Sequence, residues 1–179
     1  GDCAVVGFTA DGPDDFGVLL LADFKAGTKL YVTDDGIEAD GALRRNEGIK
    51  SHTFAADVPK GTLLKLTDFA DVEEGKLALS TKSDQVIVFL GSPSAPEYIC
   101  ALSNADGWQS DADSPSSSRL APGLVDGETA VGLPKYDSLV YVGAKTGTPA
   151  SLRSAINDRE QWKGDDQVRL PMPDGFTVV

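Results

Sequence analysis

Carboxylates dominate the chemistry within reach of this chain. Between residues 34 and 47 the sequence reads Asp34-Asp35-Gly36-Ile37-Glu38-Ala39-Asp40-Gly41 and closes on Glu47. With Gly36 as position one, Glu38, Asp40, Gly41 and Glu47 fall at three, five, six and twelve of a calcium loop of the EF-hand type. Position one should be Asp, and the flanks pattern as strand and loop instead of helix, so a true EF-hand is not expected. Asp34, Asp35, Glu38, Asp40 and Glu47 still put five hard oxygen donors in one short segment, the donors calcium takes. A solvated acidic loop explains the same residues, and both readings stand.

A second candidate surface is Gly107-Trp108-Gln109-Ser110-Asp111-Ala112-Asp113. A Trp in a polar loop can stack on a sugar or grip a protein partner, with Asp111 and Asp113 beside it. It can equally fold back and cap the core, since large aromatics bury most of their area. Trp162 reads as the anchor of a nearby helix on a sheet.

Catalytic constellations are missing from the sequence. There is one histidine, His52, in an alternating run near Phe54. No Gly-x-Ser-x-Gly elbow, Walker loop, His-x-x-x-His pair or dinucleotide fingerprint is present. Adjacent carboxylates such as Asp14-Asp15 and Asp34-Asp35 are the one route to a glycosidase-type hydrolase. With 28 acidic residues such pairs arise by chance, and the expectation is a protein that is not an enzyme.

The elements that position these residues read as strands. Ala4–Phe8, Phe16–Ala22 and Leu30–Val32 are short apolar runs bounded by Gly, Pro or Asp. Phe16–Ala22 is apolar throughout, as a strand covered on both faces would be. Lys50–Ala55 alternates weakly, which suits an edge or half-exposed strand. Asp68–Lys76 is an acidic excursion, Leu77–Ser80 a candidate short strand, and Gln85–Leu90 the strongest strand signal and a central one. Tyr98–Leu102, Thr129–Leu133, Leu139–Val142 and a closing Phe176–Val179 complete the set. Lys25-Ala26-Gly27-Thr28 and Pro59-Lys60-Gly61-Thr62 look like equivalent turns. Asn104–Gly123 is a long polar loop, of a length often functional or partly mobile. The one helix falls within Thr146–Asp158, with Thr148 as its cap and Pro149 at its first position. The fold predicted is all-β: one antiparallel β-sandwich domain over residues 1–179, with a short helix near the C-terminus.

Composition narrows the partners. The chain has 179 residues, 41% of them hydrophobic, and 28 acidic against 16 basic side chains give a net charge of −12. Such a surface repels nucleic acid and anionic membrane and favours cations or proteins with basic surfaces. No apolar run approaches the roughly 18–20 residues that span a bilayer, which argues against membrane insertion while leaving room for a peripheral position. The start, Gly-Asp with no basic-apolar leader, is the one expected after removal of a targeting peptide, or of a trimmed chain. Cys3 and Cys100 have no metal-ligand spacing. Bonded, they would pin the N-terminus to a central strand; unbonded, they are two buried thiols. The bonded reading favours an extracytoplasmic location: secreted, periplasmic or within an organelle lumen.

The succession AVVGFTADGPDDFGVLLLADFKAGTKLYVTDDG, then SDQVIVFLGSPSAPEYICAL, then GWQSDADSPSSSRLAPGLVDGETAV and a Thr-Pro-led helix ending near Trp162 resembles a lamin-tail-like β-sandwich module of secreted proteins. An aromatic often follows the Asp-x-Gly of that pattern's third strand, where this chain has Ile37. The resemblance implies an accessory role: binding, spacing or docking, with chemistry located elsewhere. The leading expectation is therefore a non-catalytic, extracytoplasmic protein-interaction domain that docks on a larger assembly, an extrinsic lumenal subunit of a photosynthetic membrane complex being one version. A calcium- or carbohydrate-binding adhesion module is the alternative. No cofactor is required by either, and calcium is the one ion the residues suggest.

Overall fold

The computed structural model describes residues 1–179. Thirteen strands and one α-helix follow in order: β1 (Cys3–Thr9), β2 (Asp15–Leu20), β3 (Lys29–Thr33), β4 (Gly48–Thr53), β5 (Leu63–Lys65), β6 (Asp71–Gly75), β7 (Gln85–Ser92), β8 (Ala95–Ser103), β9 (Ala130–Gly132), β10 (Ser138–Tyr141), β11 (Thr146–Gly147), α1 (Pro149–Ile156), β12 (Trp162–Asp165) and β13 (Thr177–Val178). One sheet has the order β12-β10-β1-β2-β5 and the other β6-β4-β3-β7-β8-β9. Pairing is antiparallel except for β8 with β9 and the small β11–β13 ribbon. This is the expected all-β sandwich with its short helix.

Alternation along the strands sorts side chains between layers. Val86 and Val88 of β7 meet Leu30 and Val32 of β3 in a 22-residue core between the sheets. Ile87 and Phe89 point the other way, onto the outer face of the six-stranded sheet. In β1 a bulge between Val5 and Gly7 shifts the register, so Cys3, Val5 and Phe8 all face the central core. Ala4 and Val6 turn outward beneath Leu152 and Ile156 of α1. Cys3 and Cys100 are joined in a disulfide, with Cα atoms 6.0 Å apart, linking β1 of one sheet to β8 of the other.

The two Gly-Thr turns are structural twins. Phe24 and Val58 exchange both backbone hydrogen bonds, at 2.9 and 2.8 Å. Gly27 and Gly61 take the left-handed backbone that each turn needs, at φ of 83° and 89°.

Several expectations are corrected. Lys50–Ala55 takes the half-exposed alternative and not the edge: β4 lies between β3 and β6, and the acidic excursion supplies the edge strand β6. Its charges suit that place, because charged residues and bulges keep a free edge from pairing with another chain. Leu77–Ser80 is not a strand, since the amides of Ala78, Leu79 and Ser80 donate to carboxylates and not to a ladder. Asn104–Gly123 packs over the six-stranded sheet, with Trp108, Leu120 and Ala121 closing a second apolar layer on Tyr31, Ile87 and Phe89. The helix begins at Pro149 with Thr148 as its cap, as expected, Thr148 Oγ1 accepting from Ser151 N at 3.2 Å, while Thr146 and Gly147 before it form β11.

Candidate functional site

The inward rows of β3 and β7 each run into a carboxylate. Leu30 and Val32 are followed two residues on by Asp34, and Val86 is preceded two residues back by Asp84. Because β3 and β7 are antiparallel, with Thr33 opposite Ile87, both carboxylates arrive at the same end of the sandwich. Asp34 and Asp84 are each 1% exposed. The segment between β6 and β7 straps this end. Its amides at Ala78, Leu79 and Ser80 donate to Asp34 Oδ2 (2.7 Å), Asp14 Oδ2 (2.8 Å) and Asp84 Oδ2 (2.8 Å). Gly48 N donates to Asp34 Oδ1 at 2.9 Å, and Gln85 N to Asp84 Oδ1 at 2.8 Å. Gly48 is required here, because a Cβ at this position would strike the backbone of Leu77 in the strap.

Glu47, one residue before β4, completes the group. One oxygen from each of Asp34, Glu47 and Asp84 lies within 4.8 Å of the others. Burial pushes the Asp84 carboxyl up to about 9, against the pull of the Gln85 amide and with the charges of Asp34 and Glu47 adding to the rise. Glu47 is pushed up to about 8 by burial and by the charges of Asp34 and Asp35, with Arg44 opposing. Asp34 is pushed up to about 6 by burial, held back by the amides of Ala78 and Gly48. Such a group holds either protons or a cation at neutral pH.

Five acidic residues were expected to share one ion loop, and they do not gather. Asp34 and Glu47 join Asp84. Asp35 is fully buried and caps the amides of Asn46 and Glu47 through Oδ1 at 2.9 and 3.0 Å. Glu38 and Asp40 turn away to the surface, because Ile37 is a fully buried anchor that holds this loop against the outer apolar layer.

At that surface Glu38 and Asp40 meet Asp111 and Asp113 from the long loop. The four carboxylates line a shallow depression of about 470 Å³ with Ala39 and Ala112. The loops are stitched together beneath it. Ile37 N donates to Ser118 Oγ at 2.9 Å, Ala39 N to Asp111 Oδ1 at 2.8 Å, and Arg119 N to the Ile37 carbonyl at 3.0 Å. Arg119 Nη1 also donates to the Ala39 carbonyl. None of the four carboxylates belongs to an ion pair; the pairs are Lys25–Asp57, Lys29–Glu73, Arg45–Glu74 and Arg159–Asp126.

Trp108 takes the folded-back alternative. It is half-buried over the outer apolar layer, and its Nε1 donates to Asp126 Oδ1 at 3.0 Å. It is not among the residues lining the acidic depression that holds Asp111 and Asp113. His52 is likewise engaged in structure, with Nδ1 2.8 Å from the Asp68 carbonyl and its ring edge-on to Phe54.

Asp84 lies outside the acidic segment that the sequence singles out for an ion. The signal was the strand period itself: Asp84 keeps the inward parity of Val86 and Val88. Comparison with protein-family models, with curated proteins and with solved structures returns no match.

Proposed function

We infer that this chain is a non-catalytic, extracytoplasmic docking module that meets a positively charged surface of a protein partner through Glu38, Asp40, Asp111 and Asp113. The observation that carries the reading is the convergence of four carboxylates free of ion pairs, from two loops, on one depression whose loops are held by hydrogen bonds from backbone amides to Ser118 and Asp111. Fixed loops lose little conformational entropy on binding, so the charges are preorganised for a partner. A concentrated negative patch on a chain of net charge −12 also speeds encounter with a basic surface.

The Cys3–Cys100 disulfide, buried between the sheets, is compatible with an oxidising compartment, which supports the extracytoplasmic part of the reading. No helix is long and apolar enough to cross a membrane. The accessory role implied by the lamin-tail-like pattern is of the same kind. An extrinsic subunit seated on the lumenal side of a membrane complex, a photosynthetic one included, is an assembly that fits this description.

Native purification at low ionic strength tests the reading. The chain should co-migrate with a partner through gel filtration and be released by a few hundred millimolar salt. A chain that runs as a free monomer under gentle, low-salt extraction contradicts it.

A further inference from the structure

The carboxylates of buried Asp34 and Asp84 and half-buried Glu47 take no part in the docking face, and their arrangement calls for a charge between them. Each of the two aspartates already accepts backbone amides on both oxygens, which fixes its position and leaves the remaining lone pairs directed elsewhere. Glu47 Oε2 is buried with no donor at all.

Two fully buried side chains in contact with this group add independent evidence. Gln85 donates its backbone N–H to Asp84 and its Nε2 to the Asp34 carbonyl, yet its Oε1 has no partner. Asp35 takes the amide of Glu47 on Oδ1, yet its Oδ2 has none. Both residues are 0% exposed. A buried oxygen without a donor costs about 1–3 kcal/mol, and its occurrence on Glu47 and on two residues hydrogen-bonded to this group calls for a cation or ordered water.

We propose that Asp34, Glu47 and Asp84 bind one hard divalent cation of calcium's size, seated under the strap between β6 and β7. The donors are all oxygen, which selects calcium or magnesium over softer metals. Their spacing, within 4.8 Å, suits calcium, whose ligands at roughly 2.3–2.6 Å stand up to about 5 Å apart. Calcium also accepts an irregular oxygen shell, whereas magnesium demands near-ideal octahedral geometry and keeps several of its waters. The cation ties β3, the approach to β4 and the approach to β7 into one unit, and through the amides of Ala78 and Ser80 it holds the strap closed. Half-buried Glu47 is the side of entry.

The test uses the intact chain stripped with chelator and then titrated separately with calcium and magnesium. Calcium at a hundredfold excess over its Kd should raise the melting temperature by about 5–10 °C, magnesium by less, and calorimetry should give one ion per chain. Asp84→Asn, which removes the charge and one acceptor oxygen, should lose the response, and Glu47→Gln gives the same readout should Asp84→Asn fail to fold. Glu38→Gln with Asp40→Asn should keep the full response. No calcium shift in the wild type overturns the proposal, as does a shift that survives Asp84→Asn or Glu47→Gln. A shift lost only in the Glu38/Asp40 variant also overturns it by moving the ion to the docking face.

Discussion

Cys3 and Cys100 join the first strand of the chain to the penultimate strand of the six-stranded sheet, across the layer of apolar side chains that both sheets share. The bond closes a loop with a sequence separation of 97 residues. In the chain-entropy treatment a loop of that size contributes about 4–5 kcal/mol. Changing both cysteines to serine should therefore lower the denaturant midpoint sharply, and a midpoint equal to the wild type's would show that the bond adds nothing.

The buried carboxylates set the pH dependence of the metal-free protein. Asp34, Glu47 and Asp84 all titrate above the ordinary carboxylate range near 4, to about 6, 8 and 9. The folded state thus binds more protons than the unfolded chain over that interval, and stability falls as pH rises. The contribution is complete below about pH 4 and is lost progressively as pH passes through 6, 8 and 9. Melting curves in chelator should decline from pH 5 to 9, and Asp84→Asn should flatten the decline. A curve that climbs across this range runs against the assignment.

Gly48 is where the strap touches β4. Adding a methyl group there sets a Cβ against the backbone of Leu77, which has no flexible end to move aside. Gly48→Ala should cost about 1–3 kcal/mol, in the range of overpacked interior sites. Gly123→Ala, where a Cβ has open space and only the left-handed φ of 83° opposes it, should cost less. A Gly48→Ala chain as stable as the wild type would show that the strap gives way without cost.

The sandwich was legible because its strands announce themselves by period and boundary. Gln85–Leu90 and Phe16–Ala22 carry apolar side chains on both faces: the inner faces meet in the central core, and the outer faces are covered, that of Phe16–Ala22 by α1 and that of Gln85–Leu90 by the long loop. That cover was the part hidden from sequence. Ser, Asp and Pro in Asn104–Gly123 look unable to pack, but Trp108, Leu120, Ala121 and the nearby Leu124 suffice when they land on an apolar sheet. Likewise the acidic run from Asp34 to Glu47 showed the right residue types and the wrong grouping. A buried Ile37 splits it, sending Asp34 and Glu47 inward to Asp84 and Glu38 and Asp40 outward to Asp111 and Asp113. Both partnerships cross more than thirty residues of chain, and nothing in local spacing reports that.

The docking face is tested most directly by charge reversal of Glu38 and Asp113 together, which spares the Asp111 bond that stitches the loops. Binding to the partner recovered from native low-salt preparations is measured at two ionic strengths, beside a Glu160→Lys control on the turn after α1. The expected result is at least a tenfold loss of affinity for the Glu38→Lys/Asp113→Lys chain, a weaker salt dependence than the wild type's, and no change for the control. Undiminished affinity with the wild-type salt dependence would contradict the account.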